Sequence, residues 1–154
     1  MRNFVWILLP VFLFVGCASP SSEPKSETSL TDSLLEEVIA GHDVAMPKIK
    51  KLERLQKTVQ DALDSLDKLP ASAKAASAKY KASLDEAKKK LNEATLSMEK
   101  WMNEFGYDSL KNSFTERVNY LKSELDKVTK MKDAVLESIG KADSLVGKKE
   151  SANP

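Results

Sequence analysis

Five residues of this chain have the types and spacings of a soft-metal site. His42 and Met46 are four residues apart, so on a helix they share one face. Met98 and Met102 have the same spacing, with Trp101 between them. Thioether sulfur is a soft ligand that selects Cu(I), and imidazole also binds copper. A fold that brings the two pairs together would provide a site for Cu(I) or Ag(I).

The combination of one histidine, several methionines and a tryptophan resembles the ligand set of periplasmic Cu(I)- and Ag(I)-binding proteins. In those proteins an indole caps the metal through a cation–π contact, the role that the resemblance implies for Trp101. The same residues also fit a structural role. Met commonly fills gaps in cores, and a seam His42 can fix helix register by bonding to Tyr120 or to a carboxylate. Core packing is our first interpretation, and the metal site is the alternative.

Three long helices would have to position these residues, over 31–69, 71–105 and 114–145. The second has the clearest pattern, with eight residues spaced alternately four and three apart, which is an a/d seam. They are Tyr80, Leu84, Ala87, Leu91, Ala94, Met98, Trp101 and Phe105. The short connections at Pro70 and at 106–113 favour antiparallel neighbours. The sequence therefore predicts an all-α, coiled-coil-like antiparallel three-helix bundle.

The first and third helices carry interrupted seams. Pro47 lies inside the first and should kink or divide it, because proline lacks the donor N–H and clashes one turn back. Gln56 interrupts the first seam and Lys132 the third, where Met131 lies beside the skipped position. The other expected seam residues are Leu35, Val38, His42, Ala45, Ile49, Leu52, Val59, Leu63 and Leu66 in the first helix, and Phe114, Val118, Leu121, Leu125, Val128, Val135, Ile139 and Ala142 in the third. Antiparallel folding places His42, Met98 and Tyr120 in one layer.

The N-terminal residues indicate export. Arg2 precedes an apolar stretch over 4–15, and Gly16 precedes the single cysteine, Cys17. A basic tip, a short apolar stretch and a small residue at the cut site are typical of a secretory signal peptide. The stretch has 12 residues, whereas a membrane-spanning helix needs about 20. The cysteine context resembles the lipobox of bacterial lipoproteins, with Phe14 in place of the usual Leu, and the resemblance implies a lipid on Cys17 as the membrane anchor.

The chain accordingly divides into four parts. We expect a lipoprotein signal peptide over 1–16, and then a lipidated Cys and disordered tether over 17–30, because this segment is rich in Ser, Pro and Glu. The helical bundle would occupy 31–145, and 146–154 would be a disordered tail. Ala18, rather than Asp, follows the cysteine, which resembles lipoproteins sorted to the outer membrane. The predicted location is the cell envelope.

Charge and motifs exclude several classes of function. The chain has 24 basic and 23 acidic residues, and loss of Arg2 with the signal peptide leaves 24 − 1 = 23 of each. Nucleic-acid binding needs a basic face, so no nucleic acid is expected. A Gly-rich phosphate loop and a set of residues at structural-zinc spacing are both missing from the sequence. We expect no catalysis, and a protein partner, of unknown identity, at the aromatic-rich end or on an exposed helix face.

Two short segments resemble a known group of proteins. Residues 42–48 read HDVAMPK and residues 98–105 read MEKWMNEF. They are similar to the HD-x-x-MPK and M-x-x-WM-x-x-F stretches of small Bacteroidota lipoproteins catalogued as "viral A-type inclusion protein". The resemblance covers about 30–145, with Val44 where the group often has a second acid. The catalogue label describes coiled-coil-like composition, so the resemblance implies a lipoprotein with a helical bundle and assigns no activity.

Overall fold

The structure is a computed structural model that describes residues 27–150, and the side chains of 148–150 are not described. In chain order its helices are α1 (Glu27–Ala45), α2 (Ile49–Asp67), α3 (Ala71–Glu104) and α4 (Phe114–Glu150), with a 3₁₀ turn (Met46–Lys48) between α1 and α2. The expected signal peptide, the lipidation site at Cys17, most of the tether and residues 151–154 of the tail lie outside the described residues.

The helices form three antiparallel rods, the first made of α1, the 3₁₀ turn and α2. In this rod α1 packs mainly against α4, whereas α2 packs against both α3 and α4. Helices and their short connections make up residues 27–150, with no strand among them, so the predicted all-α bundle is confirmed. None of the helices in this part of the chain combines the length and apolar character needed to span a membrane.

The outer boundaries of the bundle differ from those expected. α1 begins at Glu27, four residues before the expected start at 31, and α4 runs to Glu150, five residues beyond the expected end at 145. Each extension includes a residue that packs on a core: Leu30 lies against the small core between α1 and α4, and Val146 lies against the main core. Apolar contacts therefore extend into segments whose polar composition had suggested disorder.

The first rod is divided at Pro47. The backbone N–H of Ile49 bonds to the carbonyl of Met46, an i→i+3 bond, and Ala45 and Lys48 keep right-handed helical dihedrals. Proline has no N–H to donate and crowds the preceding turn, and a single 3₁₀ turn accommodates both effects. The chain thus passes Pro47 with helical backbone on both sides.

The α3 seam forms the centre of the main core, as its spacing predicts. Six of its eight residues are buried, and Tyr80 and Phe105 pack against the cluster as half-buried members. The first rod departs from the expected seam at its start, where Leu34 is buried and the expected Leu35 is only partly so. Leu34 packs with Val118 of α4, so the position of α4 decides which of the two leucines points inward.

The two polar interruptions are accommodated differently. Gln56 is half-buried and its Nε2 donates a hydrogen bond to Oγ1 of Thr95 on α3, 3.0 Å away. In α4 the neighbouring Met131 is buried in the main core, while Lys132 pairs with Asp133 at 3.6 Å. Thr95 thus gives the half-buried amide of Gln56 a hydrogen-bond partner within the bundle.

Replacement of Leu91 by alanine tests the central role of the α3 seam. Leu91 is fully buried, and Leu→Ala at such a site costs about 2–5 kcal/mol through lost transfer energy and the cavity left behind. Urea denaturation of the chain from residue 18 onward should show this loss. Leu96→Ala, on the exposed face of the same helix, is the matched control and should change stability by less than about 0.5 kcal/mol. Equal effects would contradict the seam assignment.

Candidate functional site

The structure brings His42 of α1 and Trp101 of α3 into contact. Their ring centroids are 5.6 Å apart, with an interplanar angle of 31°. Nδ1 of His42 lies 3.0 Å from Oδ1 of the neighbouring Asp43, so the histidine bonds to a carboxylate, one of the two partners expected from the sequence. The imidazole is mostly covered but keeps a solvent-exposed edge. Two of the five predicted site residues therefore meet across two rods.

The three methionines lie in different environments. Met98 is buried in the main core, whereas Met46, in the 3₁₀ turn, and Met102, in the last turn of α3, are 43% and 37% exposed. An ion bound by all three sulfurs would have to reach both the core and the surface. No group of three or more His, Cys, Asp or Glu side chains that could hold a metal occurs between residues 27 and 150, so a site here would depend on sulfur.

A row of rings continues from His42 toward the end of the bundle. Trp101 stacks on Phe105 with centroids 4.8 Å apart, and Phe105 stacks on Tyr120 of α4 at 6.3 Å. Such ring pairs stabilise by about 0.5–1.5 kcal/mol each beyond the area they bury. The buried Nε1 of Trp101 has no hydrogen-bond partner among the described residues. Ring packing therefore holds this indole in place, and the row ties α1, α3 and α4 together.

The row ends at the connection between α3 and α4, residues 105–113, which we call the α3–α4 loop. The hydroxyl of Tyr120 accepts a hydrogen bond from the backbone N–H of Gly106 at 2.7 Å. A Cβ at Gly106 would lie 2.0 Å from Oγ of Ser109 and within 3.5 Å of the Tyr120 hydroxyl. A larger residue at position 106 would therefore require the Ser109 side chain to move, so glycine suits the close packing of this turn under the tyrosine bond.

Arg117 of α4 fixes the other side of the loop. Its buried guanidinium donates hydrogen bonds to the carbonyls of Tyr107 (2.7 Å) and Ser109 (2.6 Å) and lies 5.9 Å from the ring centre of Tyr120. Arg117 was not expected among the functional residues. It lies between Glu116 and the seam position Val118, and helical spacing does not separate a buried guanidinium from an exposed one.

A shallow groove lies beside Trp101, between α3 and α4. Its volume is about 400 Å³, and its lining includes Trp101, Met131 and Lys127. The Lys127 ammonium donates a 2.7 Å hydrogen bond to the buried carboxylate of Glu124, and this bond raises the pKa of Lys127. The groove thus has an apolar floor, with a lysine at its rim that is already paired.

Comparison with known proteins adds no relative. No family model matches the chain, and no curated protein or solved structure matches it. The similarity to the Bacteroidota lipoproteins stays a prediction that depends on the two short segments, so function has to be argued from the residues themselves.

Arg117→Met tests whether the guanidinium holds the α3–α4 loop. Two hydrogen bonds from a charged donor would be lost and two carbonyls left without that donor, so we expect a loss of about 2–3 kcal/mol. Urea denaturation would measure it, and amide hydrogen exchange should quicken first at 106–110. Lys122→Met, on the exposed side of α4, is the control and should change neither the stability nor the exchange rate of the loop. Unchanged exchange in the loop would show that Arg117 has no such role.

Proposed function

We propose that this protein is a cell-envelope lipoprotein, held at a membrane by a lipid on Cys17, whose helical bundle acts as a structural or interaction module without catalysis. The observation that carries the proposal is the order of residues at the N-terminus: Arg2, an apolar stretch over 4–15, and Gly16 before the single cysteine. That order is typical of lipoprotein signal peptides. The similarity to Bacteroidota lipoproteins supports it, and Ala18 favours the outer membrane.

The surface of the bundle supports an interaction role. Its charges occur as neighbouring opposite pairs along the helices, such as Lys57–Asp61 and Lys130–Asp126, so neither sign dominates. Large apolar side chains are nevertheless exposed at several points, namely Val44, Met46, Leu96, Met102, Tyr107, Leu110 and Leu136. Contacts with a partner would bury such side chains, and apolar burial drives most protein association.

Replacement of Cys17 tests the anchor. In the native chain we expect incorporation of a labelled fatty acid, and recovery in the membrane fraction after washing with high salt, because a multiply acylated cysteine anchors stably. Cys17→Ser should lose the label and leave the membrane fraction after export. Ser21→Ala, in the same segment, is the control and should keep both the fatty-acid label and its recovery in the membrane fraction. A labelled Cys17→Ser protein, or an unlabelled native chain, would refute the lipid anchor.

A second candidate function is binding of Cu(I) or Ag(I), and the contact between His42 and Trp101 favours it. With Nδ1 of His42 bonded to Asp43, Nε2 would be the metal-binding nitrogen. A carboxylate on the other ring nitrogen orients a ligating histidine and raises its basicity. Met102 follows Trp101 in the chain and is partly exposed, so its sulfur is accessible without opening the core. Met46 would be a further ligand, whereas Met98 would need to leave the core.

A Cu(I) titration with a competing chelator tests this second function. One-to-one quenching of Trp101 fluorescence is expected, and a ligand at 100 times its dissociation constant should add about 2.7 kcal/mol to stability. His42→Ala and Met102→Leu should abolish the quenching, and Met131→Leu, a methionine outside the set, should not. No quenching above the chelator background, or equal quenching in all variants, would contradict metal binding. His42, Trp101 and Met102 would then have a structural role only.

A further inference from the structure

The α3–α4 loop presents two large side chains to solvent at the end of the bundle. Tyr107 is 56% exposed and Leu110 is 48% exposed, although they lie only three residues apart in a short loop. Exposed apolar residues scattered singly are ordinary, whereas grouped ones mark candidate contact surfaces, and these two belong to one short loop. The loop therefore needs an explanation that the bundle core does not supply.

The backbone at Leu110 is the second unusual feature. Its φ is 58°, the left-handed region, and no other non-glycine residue between 27 and 150 has a positive φ. Glycine or asparagine adopts this conformation at little cost, whereas leucine does not. The loop thus holds an apolar side chain outward at a cost in backbone strain, the kind of outlier from which a functional role is inferred.

The loop is also held in a fixed shape before any partner arrives. Arg117 bonds to the carbonyls of Tyr107 and Ser109, and the Tyr120 hydroxyl accepts from Gly106. Two backbone hydrogen bonds stabilise the remaining turns of the loop. The N–H of Ser109 donates to the carbonyl of Gly106, and the N–H of Ser113 donates to the carbonyl of Leu110. A contact made by such a preformed surface loses little conformational entropy.

The start of α1 shows which end of the bundle lies nearer to the expected lipid anchor. A groove beside it is lined by Glu27 and Thr28 of α1 together with Tyr107 and Lys111, so α1 starts at the loop end of the bundle. Cys17 precedes Glu27 by ten residues, which span at most about 35 Å at full extension. The opposite end, near Pro70, lies about 50 Å away along the 34 residues of α3. A lipid on Cys17 would therefore tether the bundle at its loop end, within about 35 Å of the bilayer, and the loop end is the end that this tether lets reach the membrane first.

We propose that Tyr107 and Leu110 insert into the interface of the membrane that carries the Cys17 lipid, so that the loop is a second, weaker membrane contact. This inference rests on the proposed lipid anchor. Tyrosine favours the headgroup level of a bilayer, and leucine favours the acyl boundary below it. Lys111 lies 5.7 Å from the ring centre of Tyr107 and can extend its ammonium to the headgroups.

The charges of the loop indicate how its insertion should depend on the charge of the lipid. Residues 106–113 contain one acid, Asp108, and one base, Lys111, which form an ion pair. Glu27 and Asp32 of α1 line the adjacent groove. Because no excess of positive charge faces the bilayer, insertion should proceed on zwitterionic lipid, and added salt should not release the loop.

The test uses the full lipidated chain with Asn112→Cys carrying an environment-sensitive fluorophore. Asn112 is an exposed loop residue beside the two side chains, and lipidation leaves Cys17 without a competing thiol. In phosphatidylcholine vesicles that contain a headgroup-level nitroxide lipid, we expect blue-shifted emission and strong quenching. The same fluorophore at Ser72→Cys, near Pro70 at the far end, should be neither shifted nor quenched.

Paired variants separate insertion from mere proximity. Tyr107→Ser combined with Leu110→Ser should lose most of the shift and the quenching at position 112 while remaining on the vesicles. Leu96→Ser combined with Leu136→Ser, two exposed leucines elsewhere on α3 and α4, should keep both signals. Equal quenching in the two double variants, or none in the anchored parent, would overturn the proposal.

Flotation of the unlabelled native chain with vesicles reports separately on the lipid anchor. A chain that does not float refutes lipidation, and a hexahistidine at position 17 on nickel-chelating lipid then holds the bundle at the same distance. The quenching comparison, repeated on this tagged chain, supports or overturns insertion of the loop by the same criteria. Failure of the anchor and failure of the loop contact are thus distinguished.

Discussion

The apolar seam of α3 is the constraint on which the rest of the structure depends. Its residues, among them Leu84, Leu91 and Met98, join side chains of α2 and α4 in one continuous core. Successive residues of a helix point about 100° apart, so a shift of α3 by one residue would turn its lysines and glutamates inward. Burial of unpaired charges is costly, and the four-three spacing therefore fixes the register of all three rods.

The first rod changes its neighbours at Pro47. α1 packs mainly on α4, and α2 packs on both α3 and α4, so the 3₁₀ turn separates two different packing arrangements. Close approach to α4 is possible at Gly41, where a Cβ would lie 3.0 Å from Cγ1 of Val128. The next residue, His42, lies in the same turn of α1 and contacts Trp101. The close packing of α1 on α4 and the contact of His42 with Trp101 thus occur side by side in the turn that precedes the proline.

The stacked rings connect this contact to the end of the bundle. His42, Trp101, Phe105 and Tyr120 form one row, and Tyr120 also bonds to the α3–α4 loop. The candidate metal ligands and the candidate membrane contact therefore lie at one end of the rod, the end at which the chain enters α1. At the opposite end the first turns of α3 are rich in Ala and Ser, and the large core side chains there come mainly from α2 and α4, such as Leu66 and Leu145.

The sequence by itself determined the fold class and the core of α3, because alternating four-three spacing allows one buried face and few alternatives. It also placed His42 near Trp101, since short connections make neighbouring helices antiparallel. Tertiary structure alone decided that Leu34 rather than Leu35 is buried, that Leu30 and Val146 pack against the cores, and that Arg117 holds a loop. These depend on how helices rotate about their axes and on contacts between residues distant in sequence. The spacing of apolar residues within one helix contains no information on helix rotation or on these distant contacts.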